Sequence, residues 1–441
     1  MTESLLIRGG DVFEPGVGLH ADFDVLIAEG FVQTVGPGLS ADRTRVIDAR
    51  GCIVAPGFVD LHAHLREPGF EQKGTVATET LAALRGGFTT VCAMPNTEPP
   101  PDNASNVEAL LGLLSRDAHV RVLPIGCITH GRAGKRMAEL SEMAQAGVIA
   151  FSDDGSPVAD GRLMRNALVL ANSLGLPISE HSDDPVLNAG GSMNEGRVSE
   201  RLGLAGQPAA AEVTAIARNI TLAESTGAHI HLAHVSTARG VQLVRDAKSR
   251  GLRVTCEVTP SHLFLTEDAV FGNGPQPAYD TNAKINPPLR TEADRRALLA
   301  GLNDGTIDAI ATDHAPHAIE DKLCEFDHAA PGISCFETAL ATVLELVHRG
   351  ELTMERVLMA LTTGPASAFG LAGRHPGIGR LTPGVSRDVV VFDPSALRRV
   401  NVQNFASKGR NTPLNGMELH GVIRCVVFDG VMAHEQEVLS V

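Results

Sequence analysis

Cys52–Gly69 reads CIVAPGFVDLHAHLREPG. It opens as an apolar run of the kind that forms a buried strand, and that run ends in two histidines one residue apart. Side chains on a strand alternate with a period of two, so His62 and His64 leave the strand end on the same side. Two imidazoles converging from one strand end can bind a metal ion. Arg66 and Glu67 follow at once.

The same kind of run recurs along the chain. CIVAPGFVDL, FTTVCAM, VRVLPIG, GVIAFS, LPISE, HIHLAH, LRVTCEVT and IDAIAT make eight strand-like segments. Stretches with apolar residues at helical spacing separate them, among them Thr75–Arg85, Lys135–Gln145, Ala210–Thr226 and Arg239–Ser249. Eight alternations predict an α/β fold, a (β/α)8 TIM-like barrel over residues 54–379. An open doubly wound sheet is the competing arrangement, and the lack of G-x-G-x-x-G after the first strand counts against it. Both chain ends read differently. SLLIRGGDVF, DVLIAEGFVQTVG and TRVIDARG near the start, and SRDVVVFDP and GVIRCVVFDGVMAH near the end, are short strands with turns. They predict one composite β-sandwich domain built from residues 1–53 plus 380–441.

Composition narrows the function classes. The 441 residues carry 43% hydrophobic and 20% charged side chains and a formal charge of −15. An acidic chain with one Tyr and no Trp is a poor binder of nucleic acid or of an anionic membrane surface. It can still hold an anionic small molecule through a local arginine. No run of about 18 apolar residues and no basic-then-apolar leader is present, and the seven cysteines form no C-x-x-C pair. A cytoplasmic protein is the expectation.

In a barrel, chemistry collects at the C-terminal ends of the strands. The first strand ends in His62 and His64, the second in Asn96, the fourth in Asp153 and Asp154, the fifth in His181, the sixth in His234, and the eighth in Asp313, His314 and His317. Any one of these alone would read as an ordinary core or surface residue. Their shared level points to a metal centre. Imidazole and carboxylate without thiolate suit Zn²⁺, and also Mn²⁺, Co²⁺ or Fe²⁺. At least four histidines and two aspartates exceed one tetrahedral ion and suit two ions bridged by a carboxylate and a water. Such a pair makes hydroxide available near neutral pH, and a remaining carboxylate can move its proton to a leaving nitrogen. Either Asp153 or Asp154 could bridge.

Taken together, GFVDLHAHLREPG, MPNTEPPPDN, FSDDG, LAHVST, CEVTPSHL, DTNAKINPPLR and IATDHAPH resemble the amidohydrolase superfamily, and within it the dihydroorotases of the bacterial class I type. The resemblance spans nearly the whole chain. It implies reversible cyclisation of N-carbamoyl-L-aspartate to L-dihydroorotate and water. It implies His62, His64 and Asp313 as ligands of one Zn²⁺, His181 and His234 as ligands of a second, and Asp154 rather than Asp153 as the bridge. Hydantoinases and allantoinases often bridge with a carboxylated lysine, but this chain has no lysine between Arg136 and Lys248. Asp313 would also be the catalytic acid and base. Arg66, Asn96 and His317, with His64 beside them, would hold the substrate carboxylate, and Asn286 and the backbone of Pro331 and Gly332 would meet the ring amides. TPSHL, with Ser261 and His262, departs from the TPHHL text frequent in relatives. His231 is expected to alternate away from the inner face by parity with His234, neither it nor His229 is expected to be a ligand, and His314 is expected to support the ligands from behind or to be structural. A homodimer and an association with aspartate transcarbamoylase are further implied partners. Another cyclic amidohydrolase, or a non-catalytic subunit of that transcarbamoylase, remains the alternative. A lid is expected at His317–Ser334.

Overall fold

The computed structural model describes residues 4–40, 44–272 and 279–436. The parts of the expected β-domain at 1–3, 41–43 and 437–441, and of the expected barrel at 273–278, lie outside the described residues.

The run at 52–61 does not form one strand. It breaks at Gly57 into Ile53–Pro56 and Phe58–Ala63, which enter different sheets. A Cβ at Gly57 would stand 2.1 Å from Thr89 Oγ1, so only glycine lets the chain pass so close to its neighbour.

Ile53–Pro56 joins strands from both chain ends. It pairs in parallel with Leu5–Glu14 and antiparallel with Val389–Arg399. From there the sheet extends to Gly18–Ala28 and Phe31–Gly36 on one side, and to Glu418–Phe428 and Val431–Glu435 on the other. Arg45–Asp48 pairs with the first half of Leu5–Glu14. Leu5, Ile7, Val25, Ile27, Val54, Val389, Val391 and Val427 fill its interior.

The second eight-stranded sheet runs in sequence order: β1 (Phe58–Ala63), β2 (Phe88–Ala93), β3 (Arg121–Gly126), β4 (Ala150–Phe151), β5 (Ile178–Glu180), β6 (Ile230–Leu232), β7 (Val254–Val258) and β8 (Ala309–Ile310). Every pairing in it is parallel. The two outermost strands approach each other past their ends. Asp313 N–H donates to His62 O and His64 N–H donates to His314 O, both at 2.9 Å. Helices follow the strands, among them Val76–Arg85, Ala209–Thr226 and Ala238–Ser249. The helix expected from Lys135 begins only at Leu140 and ends at Ala146. Residues 136–138 instead lie back against 128–130, with Ala138 N–H on Ile128 O and His130 N–H on Arg136 O.

Four buried phenylalanines tie the two sheets together. Phe58 packs against Phe88 at 5.8 Å and Phe392 at 6.1 Å, and Phe88 against Phe336 at 5.6 Å. Such rings bury large apolar areas and dominate core energetics. No helix among the described residues is long and apolar enough to cross a membrane.

Glu337 lies at the same junction, in the first turn of the helix Phe336–His348. Its carboxylate accepts Ala406 N–H at 2.9 Å, and Arg85 is 3.9 Å away. Burial pushes this carboxyl up to about 7 from 4.5, against the pull of its hydrogen bonds and Arg85. A raised carboxyl favours the fold below about 4.5 and loses that contribution as pH rises through about 7. Glu337→Gln should therefore gain stability over the parent at pH 8, on the order of 1–3 kcal/mol. The gain should vanish at pH 4.5. Urea unfolding at the two pH values measures it.

Candidate metal centre and active site

The site stands where β1 and β8 meet. Asp60, buried on β1, accepts N–H of Thr312 at 2.9 Å, the Thr312 hydroxyl, and N–H of His62 at 3.2 Å. This carboxylate sets the register between the residues that precede Asp313 and those that carry His62. Arg66, His234 and Asp313 all have left-handed backbone, with φ of 70°, 31° and 48°. Side chains other than glycine pay for that conformation, and its clustering at one site is typical of functional positions.

Asp154 is the hub. Its Oδ1 lies 3.4 Å from His62 Nε2, 3.6 Å from His181 Nδ1 and 3.7 Å from His234 Nε2, and its Oδ2 lies 3.6 Å from His64 Nε2. Asp313 Oδ1 sits 3.0 Å from His64 Nε2 and 3.5 Å from His62 Nε2. The donor atoms form two tight groups that share Asp154: His62, His64 and Asp154, then Asp154, His181 and His234. Asp313 stands beside the first.

Most of these separations are too long for hydrogen bonds. Asp154 Oδ1 and His62 Nε2 are buried and have no hydrogen-bond partner at all. Leaving a carboxylate oxygen and an imidazole nitrogen dry and unpaired is costly, and a divalent cation satisfies both at once. The nitrogen and oxygen donor set fits Zn²⁺ and its borderline neighbours. Burial opposes ionisation of Asp154 and Asp313, yet the neighbouring imidazoles, His62 foremost, hold both carboxyls below the usual range.

The two neighbouring aspartates do different work. Asp153 turns away from the cluster and accepts N–H of Ile128 at 2.8 Å, N–H of Thr129 at 3.0 Å and the Thr129 hydroxyl. It anchors the segment after β3, while Asp154 faces the histidines.

Arg66 and His317 form a second group on the same side. Arg66 Nε donates to Pro316 O at 3.1 Å and its Nη2 lies 3.3 Å from His317 Nε2. His317 Nε2 lies 2.9 Å from Pro331 O. Burial, with Arg66 next, pushes His317 down to about 3, and burial brings Arg66 to about 10. At neutral pH Arg66 is therefore the cation of the pair. Asn96 Oδ1 lies 2.8 Å from His64 Nδ1, and Asn286 Nδ2 lies 3.2 Å from His181 Nε2. Both amides thus touch the outer nitrogens of cluster histidines. Gly332 N–H donates to Lys284 O at 2.9 Å and its carbonyl accepts from Asn411 Nδ2 at 2.9 Å. A Cβ there would meet Ala315 at 2.7 Å.

His314 bridges Glu79 at 2.8 Å and accepts N–H of Cys335 at 3.0 Å. His262 lies 2.8 Å from Thr259 Oγ1 and 3.0 Å from Pro287 O, and burial lowers it to about 4. Neither joins the cluster. Within 317–334, Lys322 Nζ donates to Thr281 O at 3.0 Å and Ala330 O at 2.6 Å, tying that loop to the segment 281–284.

His231 differs from the parity expectation. It points inward to Glu257, 3.1 Å away, because His234 lies beyond the end of β6 with φ 31°, where strand alternation no longer holds. Glu257 and Asp60 were not singled out by sequence reasoning. Each is a carboxylate in an otherwise apolar strand run, and that is the signal that marks them.

A profile described as Dihydro-orotase-like matches residues 51–239. A dihydroorotase of Pelotomaculum thermopropionicum is 46% identical over 436 residues, covering 99% of each chain. The chain belongs to the dihydroorotase family. A second dihydroorotase, of Anaeromyxobacter sp. (strain K), is 47% identical over 437 residues, again covering 99% of each chain. Among solved structures, L-hydantoinase (dihydropyrimidinase) from Arthrobacter aurescens superposes with a TM-score of 0.86 at 25% identity, covering 100% of this chain and 98% of that one. D-hydantoinase (dihydropyrimidinase) from Thermus sp. gives 0.84 at 26%, covering 98% and 97%. The mixed α/β fold of this dihydroorotase-family chain is thus shared with cyclic-amide hydrolases.

Asp154→Asn should strip metal from the purified protein. Asp153→Asn should keep the metal but lose about 1–3 kcal/mol of stability through its weakened anchor. Metal content per chain and urea unfolding of both variants separate the two roles.

Proposed function

We propose that this chain is an active dihydroorotase, converting N-carbamoyl-L-aspartate reversibly to L-dihydroorotate and water in pyrimidine synthesis. The observation that carries this reading is the shared buried carboxylate of Asp154 between two histidine pairs, with Arg66 on the same side. The full-length similarity to proteins named dihydroorotase supports it.

In this reading His62, His64 and Asp313 would hold one Zn²⁺ and His181 and His234 a second, with Asp154 contributing to both. Bound there, the ions would polarise the ring carbonyl and bring the pKa of water toward about 7. Arg66 grips the substrate carboxylate with its planar donor fork, and neutral His317 and Asn96 complete that contact. Asn286 and the backbone at Pro331 and Gly332 orient the ring amides. Asp313, kept ionised beside His62 and His64, takes the proton of the attacking water on its carboxylate and passes it to the departing ring nitrogen. In the cyclising direction Asp313 takes the proton from the attacking carbamoyl nitrogen and passes it to the carboxyl oxygen that leaves as water.

The same reading takes the parallel sheet as a closed (β/α)8 barrel within 54–379, entered at Phe58, and the sheet from residues 1–53 plus 380–441, extended through Pro56, as a composite β-domain. The Asp313 and His64 backbone bonds across β1 and β8 support closure. A homodimer in the cytoplasm, able to associate with aspartate transcarbamoylase, belongs to the reading as well.

The purified, metal-loaded protein should open L-dihydroorotate and leave hydantoin and allantoin untouched. Turnover of hydantoin or allantoin in place of dihydroorotate would replace this reading with another cyclic amidohydrolase. Bound metal without any turnover would favour a scaffold. Arg66→Met should lower kcat/KM for dihydroorotate by roughly 100-fold or more, mostly through KM, as expected for a lost charge-assisted pair of bonds. Steady-state kinetics read this.

A further inference from the structure

Behind the cluster runs a buried chain of polar groups. His62 Nδ1 lies 2.8 Å from Glu257 Oε1, and Glu257 Oε2 lies 3.1 Å from His231 Nε2. His231 Nδ1 lies 2.9 Å from Thr255 Oγ1, which His229 Nε2 reaches at 2.8 Å. His62, His231 and Glu257 are at most 1% exposed. The carboxylate thus spends one oxygen on each imidazole, and no Lys or Arg is bonded to it among the described residues.

We infer that Glu257 is a positioning residue that locks His62 in the tautomer with hydrogen on Nδ1 and so presents the Nε2 lone pair to the metal group. This rests on the reading of His62 as a ligand. A carboxylate can only accept, so His62 must donate from Nδ1. In the neutral ring that a bound cation requires, Nε2 then carries the lone pair, and Nε2 is the atom left buried and unpartnered toward Asp154 and Asp313. His64 and His181 meet amides, Asn96 and Asn286, at their outer nitrogens. Among the described residues Glu257 is the carboxylate behind a cluster imidazole, and a carboxylate makes the ring a stronger donor than an amide does. His231 holds the second oxygen, and its ring stands edge-on to Phe369 at 5.0 Å. The clamp fixes Glu257 from behind, so the orientation of His62 is set by core packing rather than by the metal.

The test compares Zn²⁺ affinity by chelator competition, and the visible absorption of the Co²⁺ form, in the parent, Glu257→Leu, Glu257→Gln and His62→Ala. Melting of the metal-free forms is followed alongside. Glu257→Leu should weaken Zn²⁺ binding about 10–100-fold and change the Co²⁺ spectrum. Glu257→Gln keeps an acceptor oxygen for His62 Nδ1–H and should restore most of both. A purely structural role would lower the metal-free melting temperature without moving affinity or spectrum, and that result overturns the inference. If Glu257→Leu does not fold, Glu257→Asp, which withdraws the carboxylate by one methylene, should weaken binding in the same direction; parental affinity there overturns it too. If His62→Ala keeps full affinity and the parental spectrum, the ligand reading itself has failed. If His62→Ala loses them while Glu257→Leu does not, only the role of Glu257 has.

Discussion

A single buried carboxylate organises this molecule's functional end. Asp154 sits among four imidazoles brought from β1 and from the ends of β5 and β6, and one of its oxygens has no hydrogen-bond partner. Such a group needs a counter-charge, which the surrounding imidazoles or a cation held among them can supply. Everything nearby serves to hold that arrangement: Asp60 staples β1 to the residues past β8, Asp153 anchors the segment after β3, and three residues accept left-handed backbone to aim their side chains.

The support of the site lies in the core rather than in the loops. Phe58 begins the strand that ends in the two histidines, and it packs on Phe88 and on Phe392 of the terminal sheet. Gly57 lets the chain leave one sheet and enter the other without a linker. The two sheets are therefore joined by chain and by ring packing at β1, the strand that leads to His62 and His64.

Charge is placed with economy. Arg66 keeps its cation although buried, His317 beside it is held neutral, and the carboxylates of the cluster are held ionised by the histidines. Buried positive charge beside His317 thus stands near ionised carboxylates inside an otherwise acidic protein.

Much of this was legible in the chain itself. Apolar runs ending in His or Asp mark the strands and their chemical ends, because run length and strand geometry are local properties. The terminal strands are legible for the same reason. The sequence alone could not say that residues 52–61 serve two sheets, since that depends on how closely Thr89 approaches Gly57. Nor could it choose between Asp153 and Asp154 by residue type, since only the approach of Thr129 on one side and four histidines on the other separates them. Parity misplaced His231 because alternation ends where the backbone turns at His234. Glu257 became visible only once β7 lay beside β6, because its two partners are 26 and 195 residues away along the chain. Local pattern determined the elements and the ligand types; contacts between residues far apart in sequence decided which groups face the centre and which hold them there.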